Sequence, residues 1–205
     1  MHEYVERETI GPLTLTIYAD EDPGNPRTEW DNLGTMILCG SYAWQGDKHG
    51  WGEKGWDEWG REASLPKRIE ESAGPILFLP IHGRCPSRGG MFAGAPGDWD
   101  PDTCDGMIYV SLADVRREYS CKRVSAKVRG QALSVLRGEV ETQDQYLTGE
   151  VFGYVLEDPQ GEHVDSCWGY YGIDYARQEA RDTAAWYSTQ EPYASMPGVD
   201  EEGGS

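Results

Sequence analysis

Residues 149–187 read GEVFGYVLEDPQGEHVDSCWGYYG and then IDYARQEARDTAAWY. In Glu150 to Glu157 both alternating sets, Val151/Gly153/Val155 and Phe152/Tyr154/Leu156, are apolar or small, the pattern of an inner strand covered on both faces. Asp158-Pro159-Gln160-Gly161 then has the composition of a type I turn, with Asp first, Pro preset at the second position and Gly able to take positive φ. The chain is expected to fold straight back as a hairpin. On the return strand Val164, Ser166 and Trp168 share one face, and His163, Asp165 and Cys167 the other. Beyond Gly172, residues Ile173, Ala176, Ala180, Ala184 and Tyr187 recur at helical spacing, with Asp174 in the first turn, where negative charge suits the helix dipole. That helix is predicted to lie on the hairpin and bury small side chains there.

Working outward, Leu13 to Ala19 alternates Leu13/Leu15/Ile17 against Thr14/Thr16/Tyr18, a half-buried strand. Further strands are expected at Leu33 to Cys39, at the apolar run Pro75 to Ile81 and at Gly106 to Val110, with Pro80 limiting how centrally its strand can sit. A short helix fits Leu65 to Ser72. Ser111 with Asp114 resembles a capping arrangement for a helix turning Leu112, Val115 and Tyr119 inward. Ser125 can cap a longer helix whose Val128, Ala132, Val135, Leu136 and Val140 form one stripe, with Gly130 and Gly138 weakening its regularity. Asp20 to Asn32 (DEDPGNPRTEWDN) reads as an acidic loop, Gly40 to Gly60 as a long connection holding Trp44, Trp51, Trp56 and Trp59, and His82 to Asp105 as a second Gly/Pro-rich connection. The fold class expected is α+β: a mainly antiparallel sheet of about five or six strands with two or three helices packed against it. Residues 1–12 are read as a loose lead-in, 13–195 as a single α+β domain and 196–205 as a disordered acidic tail.

The chain holds 205 residues, 36 acidic against 18 basic, for a net charge of −18. That charge argues against direct binding to nucleic acid or an anionic membrane and favours a partner with a basic surface. No apolar run has the length of a membrane span, and the Met1-His2-Glu3-Tyr4 start lacks a secretory core, so a cytoplasmic setting is expected. Five scattered cysteines (Cys39, Cys85, Cys104, Cys121, Cys167) without CxxC point to reduced thiols. One segment departs from the acidic background: Arg116, Arg117, Lys122, Arg123, Lys127, Arg129 and Arg137 face only Asp114 and Glu118 between positions 111 and 137. The simplest account of that segment is two solvated helix faces.

Reactive chemistry finds little footing. His82, Cys85 and Cys104 offer zinc-type ligands without a fourth partner or the usual spacing. The loop from Asp20 has glycine at its fifth place and prolines at its fourth and seventh, so it departs from a hand-type calcium loop; Asp20, Asp22, Glu29 and Asp31 remain as a noncanonical cation set beside the plainer reading of a solvated loop. Ser166 or Cys167 would need a base, and His163 stands three or four residues away along the same strand, with no nucleophile elbow around it. The run Gly89 to Gly94 lacks the ending of a phosphate loop. No cofactor or metal is expected.

Four segments, Pro26 to Met36 (PRTEWDNLGTM), Gly46 to His49 (GDKH), Tyr146 to Gly149 (YLTG) and Asp165 to Gly172 (DSCWGYYG), together resemble a family of uncharacterised bacteriophage proteins. The resemblance extends from about Leu13 to Trp186; the tryptophan-rich insert Trp51 to Trp59 and the acidic tail look peculiar to this member. It implies a phage origin and a host-cell cytoplasmic setting and transfers no catalytic residue. With the charge, it leads to the expectation of an acidic accessory protein acting by protein–protein binding. The form considered is a nucleic-acid-mimicking inhibitor of a host enzyme or immune complex, such as an anti-CRISPR or anti-restriction protein, that meets a basic host surface through Asp20, Asp22, Glu29 and Asp31. The alternative is a small-ligand-binding or metal-dependent enzyme with the Trp/Gly-rich loops as pocket walls.

Overall fold

The computed structural model describes residues 4–38, 46–48, 65–83, 90–100 and 102–196. The chain divides into two compact units, Met1–Gly24 with Gly149–Ser205, and Asn25–Thr148, where the sequence alone suggests one domain. Both units are α+β, so no change of fold class marks the boundary. The chain leaves the first unit inside the loop read at Asp20 to Asn32 and re-enters it at Gly149. Among the described residues there are eight strands in two antiparallel sheets and five helices, more of each than expected. The tryptophans at 44, 51, 56 and 59, Cys85, and the tail from 197 lie outside the described residues.

In the first unit β1 (Tyr4–Ile10), β2 (Leu13–Ala19), β7 (Val151–Glu157) and β8 (His163–Tyr171) form a sheet in that order. The inner place of β7 matches its two-sided apolar pattern. At the hairpin Gly161 N–H donates to the Asp158 carbonyl at 2.9 Å, Asp158 Oδ1 accepts from Gln160 N–H and Glu162 N–H, and Gly161 takes φ +80°. Helix α5 (Ile173–Ser188) covers one face, packing Ala180 and Ala184 against Leu13, Leu15, Ile17, Tyr154 and Leu156.

The N-terminal stretch is an ordered edge strand from residue 4 onward, not a loose lead-in. Its sequence lacks an apolar alternation because Glu6 and Glu8 pair with arginines one helical turn apart on α5: Arg177 hydrogen-bonds Glu6, and Arg181 Nε donates to Glu8 Oε1 at 2.6 Å. The hydrogen bonds from Arg177 hold the Glu6 carboxyl below its ordinary range.

In the second unit β3 (Thr35–Leu38), β6 (Gly106–Ser111), β4 (Ile76–Gly83) and β5 (Met91–Ala93) form a sheet in that order. Its residues divide between two covers. Met36, Leu79, Ile81 and Ile108 pack with Ala132, Leu136 and Val140 of α4 (Ala126–Thr148), and Ile37, Ile76 and Met107 pack with Leu65 and Ile69 of α2 (Leu65–Ala73). This two-sided cover accounts for the unbroken apolar run at Pro75 to Ile81. Strand β4 is an inner strand despite Pro80, because the short β5 pairs only with Ile81, His82 and Gly83. Helix α3 (Leu112–Glu118) is capped as expected, with Asp114 N–H donating to Ser111 Oγ at 3.0 Å.

The acidic loop contains one helical turn, α1 (Pro26–Glu29), where the sequence reading has no element. Asn25 caps it, accepting from Arg27 N–H at 2.9 Å, while Glu29 Oε1 accepts from Asn25 N–H at 3.0 Å and Pro26 opens the turn. This turn places Arg27, whose side chain is only 2 % exposed, between two carboxylates. Its Nε donates to Asp47 Oδ1 at 2.9 Å, Nη1 to Glu139 Oε2 at 2.8 Å and to Asn32 Oδ1 at 3.0 Å, and Nη2 to the Gly34 carbonyl at 2.6 Å and to Asp47. Backbone N–H groups of Leu33 and Met36 donate to Glu139 and Asp47 at 2.8 and 2.7 Å, offsetting the second negative charge. Burial alone would lower the Arg27 pKa, but the hydrogen bonds and charges of Asp47 and Glu139 outweigh it and hold the guanidinium above its ordinary value. Among the described residues no helix is long and apolar enough to cross a membrane.

Arg27→Met is expected to cost up to about 3–5 kcal/mol in urea unfolding, because it strands two partly buried carboxylates. Since the folded Glu6 pKa is depressed, its contribution is complete above the unfolded pKa and declines as pH falls through the folded one. The thermal midpoint of Glu6→Gln should therefore lie below wild type at neutral pH and converge with it in acid; a gap unchanged down to about pH 3 would contradict the assignment.

Candidate acidic and aromatic binding cleft

The face of the first sheet away from α5 carries Thr16 and Tyr18 of β2, Gly153 and Val155 of β7, and Ser166 of β8, as the registers Thr16↔Val155, Tyr18↔Gly153 and Val155↔Ser166 fix. Two irregularities in β8 shape this face. Tyr154 pairs with Cys167 and Phe152 with Tyr170, so Gly153 stands opposite both Trp168 and Gly169, and Gly169 takes φ +82°. Such a bulge re-aims a side chain. The Trp168 indole is laid directly over Gly153, where an added Cβ would stand 2.2 Å from the ring. Asp20 secures the arrangement: Oδ2 accepts from Gly169 N–H at 3.1 Å and Oδ1 from Asp22 N–H at 3.2 Å.

The result is a cleft of about 600 Å³ with walls from Tyr18, Val155 and Trp168 and a rim from Asp20, Glu21 and Asp22. Tyr18 and Trp168 stand side by side, ring centroids 6.3 Å apart and tilted by 30°, forming one continuous wall. Trp168 remains 49 % exposed, comparable to Trp30 at 50 % and Trp186 at 58 %, and among these three it is the one that lines this cleft. The unit contains 18 acidic residues and only 3 basic ones. Those three are engaged elsewhere: Arg177 with Glu6 and Asp174, Arg181 with Glu8, and Arg7 at 3.9 Å from Glu157. An aromatic wall under an acidic rim is complementary to a cation that carries its own flat or apolar surface.

The second irregularity, between Leu156 and Glu157, pairs Glu157 with His163 and Leu156 with Asp165. It corrects the expectation that His163 merely lies along the strand from Ser166, because His163 Nε2 comes within 3.1 Å of Ser166 Oγ. Among the described residues no carboxylate hydrogen-bonds this imidazole to orient it as a base. On the other face Tyr154 donates to Asp165 at 2.9 Å, and burial, with that neighbouring carboxylate, pushes its pKa up to about 12. Burial and then Cys167 push Tyr170 up as well. Both phenols therefore keep their protons at neutral pH.

The predicted set Asp20, Asp22, Glu29 and Asp31 is divided between the units. Asp20 and Asp22 belong to the cleft. Glu29 is spent on capping α1, and Asp31 lines a polar groove of the second unit with Trp30, Arg117 and Tyr119. Among the described residues no three His, Cys, Asp or Glu side chains converge as a metal-holding group. Of the zinc-type ligands, His82 Nδ1 lies 3.0 Å from the Thr103 carbonyl, its ring stacks on Phe92, and burial raises the Cys104 thiol pKa. Trp168 is the cleft residue that sequence reading did not single out, and the pairing of SCWG with Gly153 across the strands is the signal that marks it. Compared with known families, characterised proteins and solved structures, the chain matches none.

Gly153→Ala should displace Trp168 and cost roughly 1–3 kcal/mol by overpacking. In a Trp168→Ala background the same change should cost little, so a double-mutant cycle without coupling would refute the contact.

Proposed function

We propose that the protein acts by binding another protein, taking a lysine or arginine side chain of a basic partner surface onto the Tyr18–Trp168 wall beneath Asp20, Glu21 and Asp22. The observation that carries this reading is the half-exposed Trp168 held by a bulge under an acidic rim. A cation on an indole face contributes about 0.5–2 kcal/mol, and the nearby carboxylates add to it most at low salt. In the setting the sequence resemblance suggests, the chain is a phage-encoded accessory protein of the host cytoplasm. Its carboxylates stand in for phosphates in the basic groove of a host enzyme or immune complex of the CRISPR or restriction type. No reaction is required of it.

A second reading rests on Ser166 and His163 sharing the cleft's face of the sheet: a sugar stacked on Trp168 could take hydrogen bonds from both. Calorimetric titration with an arginine-rich peptide, its glutamine-substituted control and a panel of mono- and disaccharides separates the two. The peptide should bind, weaken as salt is raised, and lose at least tenfold with Trp168→Ala or Asp22→Lys, which spares the bulge contacts of Asp20. Equal binding of both peptides, or binding unaffected by either substitution, would remove the cationic reading; binding of a sugar alone would install the second.

A further inference from the structure

Residues 119–138 contain five bases and no acid, in a chain where acids outnumber bases two to one. They form the turn after α3 and the first half of α4, and Arg116 and Arg117 precede the run across Glu118. Arg116, Lys122, Arg123, Lys127, Arg129 and Arg137 are all exposed. Among the described residues none of these six has an ion pair or side-chain hydrogen bond, while Arg117 is paired with Asp114 at 2.6 Å. Like charges gathered without counter-charges repel one another, so the fold gains nothing from the cluster.

The net charge of −18 is unevenly held. The second unit has 18 acidic and 15 basic residues, a balance of −3, against −15 for the first. At physiological salt the potential at a surface is dominated by charges within about 8–10 Å, and residues 119–138 themselves carry only cations, while Asp31, Asp114, Glu118 and Glu139 line the groove that Tyr119 and Val135 share with Arg117. The objection that the whole chain repels polyanions therefore does not hold for this surface.

Helix α4 also presents Gly130, Ser134 and Gly138 one turn apart on its exposed side, in a row that Lys127 opens and Glu141 follows. A Cβ added at either glycine would meet nothing within 4 Å, so packing within the chain does not call for glycine there. The bare ridge lets a ligand's backbone approach the helix closely, next to Lys127 and Arg137.

We propose that α3, the turn after it and the first half of α4 form a binding surface for the sugar–phosphate backbone of nucleic acid, engaged by charge and without reading bases. The cations are mostly arginine, whose fork matches phosphate oxygens in pairs. Five exposed cations within twenty residues offer a polyanion several phosphate contacts at once. A membrane is disfavoured because Val135 is the one large apolar side chain exposed along the run, too little for an inserting face. This surface shares no residue with the Trp168 cleft and stands or falls apart from it.

The test is fluorescence anisotropy of the full chain with labelled 20-nucleotide single- and double-stranded DNA and RNA, from about 50 mM salt upward. Four or so phosphate contacts predict a slope of log K against log salt of about −3 to −4. Lys122→Glu/Arg123→Glu/Lys127→Glu should weaken binding at least tenfold with an unchanged circular dichroism spectrum, the matching glutamine triple should fall between, and Trp168→Ala should bind as wild type. Absence of binding at the lowest salt, a triple reversal that binds normally, or loss with Trp168→Ala would overturn the proposal. Equal affinity for poly-glutamate or for phosphatidylglycerol vesicles would overturn it too, by making the surface a general anion receptor.

Discussion

The second unit depends on a guanidinium that has no contact with water to spare. Arg27 spends all five N–H donors on Asp47, Glu139, Asn32 and the Gly34 carbonyl. These partners come from the loop after α1, from the segment beyond β3 and from the middle of α4. One side chain thus joins the sheet's edge strand to the helix that covers it. A buried ion pair is a weak source of net stability, but removing one partner is costly because it leaves charge uncompensated. Gly34 shows how tight the fit is: an added Cβ would stand 2.5 Å from Leu136.

This network also explains the most distinctive motif in the chain. PRTEWDNLGTM and GDKH hold Arg27, Asn32, Gly34, Met36 and Asp47, so their unusual composition serves architecture. DSCWGYYG has a different role. It contains the bulge at Trp168 and Gly169, and Tyr171 in it donates to the Gly24 carbonyl, tying the strand's end to the acidic loop. One motif fixes a core, and the other shapes a surface.

Local patterns were the legible part of the sequence. The hairpin at Asp158, the alanine-faced helix, the alternation in β2 and the Ser111 cap all follow from residues within one or two turns of each other, where periodicity and turn chemistry decide. Strand β1 was not legible, because its glutamates are satisfied by arginines some 170 positions later. The one-turn helix at Pro26 was masked by the acids and prolines around it, although Asn25-Pro26 is itself a start signal. Within the site, Asp20 and Asp22 stood out by charge, but the hold of Asp20 on the bulge beside Trp168 emerged only from strand register. His163 meeting Ser166 had the same origin: a single skipped residue reverses which face a side chain takes.

The first unit is discontinuous, since Asn25–Thr148 lies between its two segments. Strand β2 finds its neighbour β7 only after more than a hundred intervening residues have been synthesised. The second unit is complete in the chain before any part of β7 emerges from the ribosome. Translation therefore makes every residue of the arginine-centred unit before the strand that completes the first sheet. The entropy lost in closing such a span grows only logarithmically with its length, and a prefolded insert lowers it further. Until β7 is made, β2 has only β1 of its two sheet neighbours.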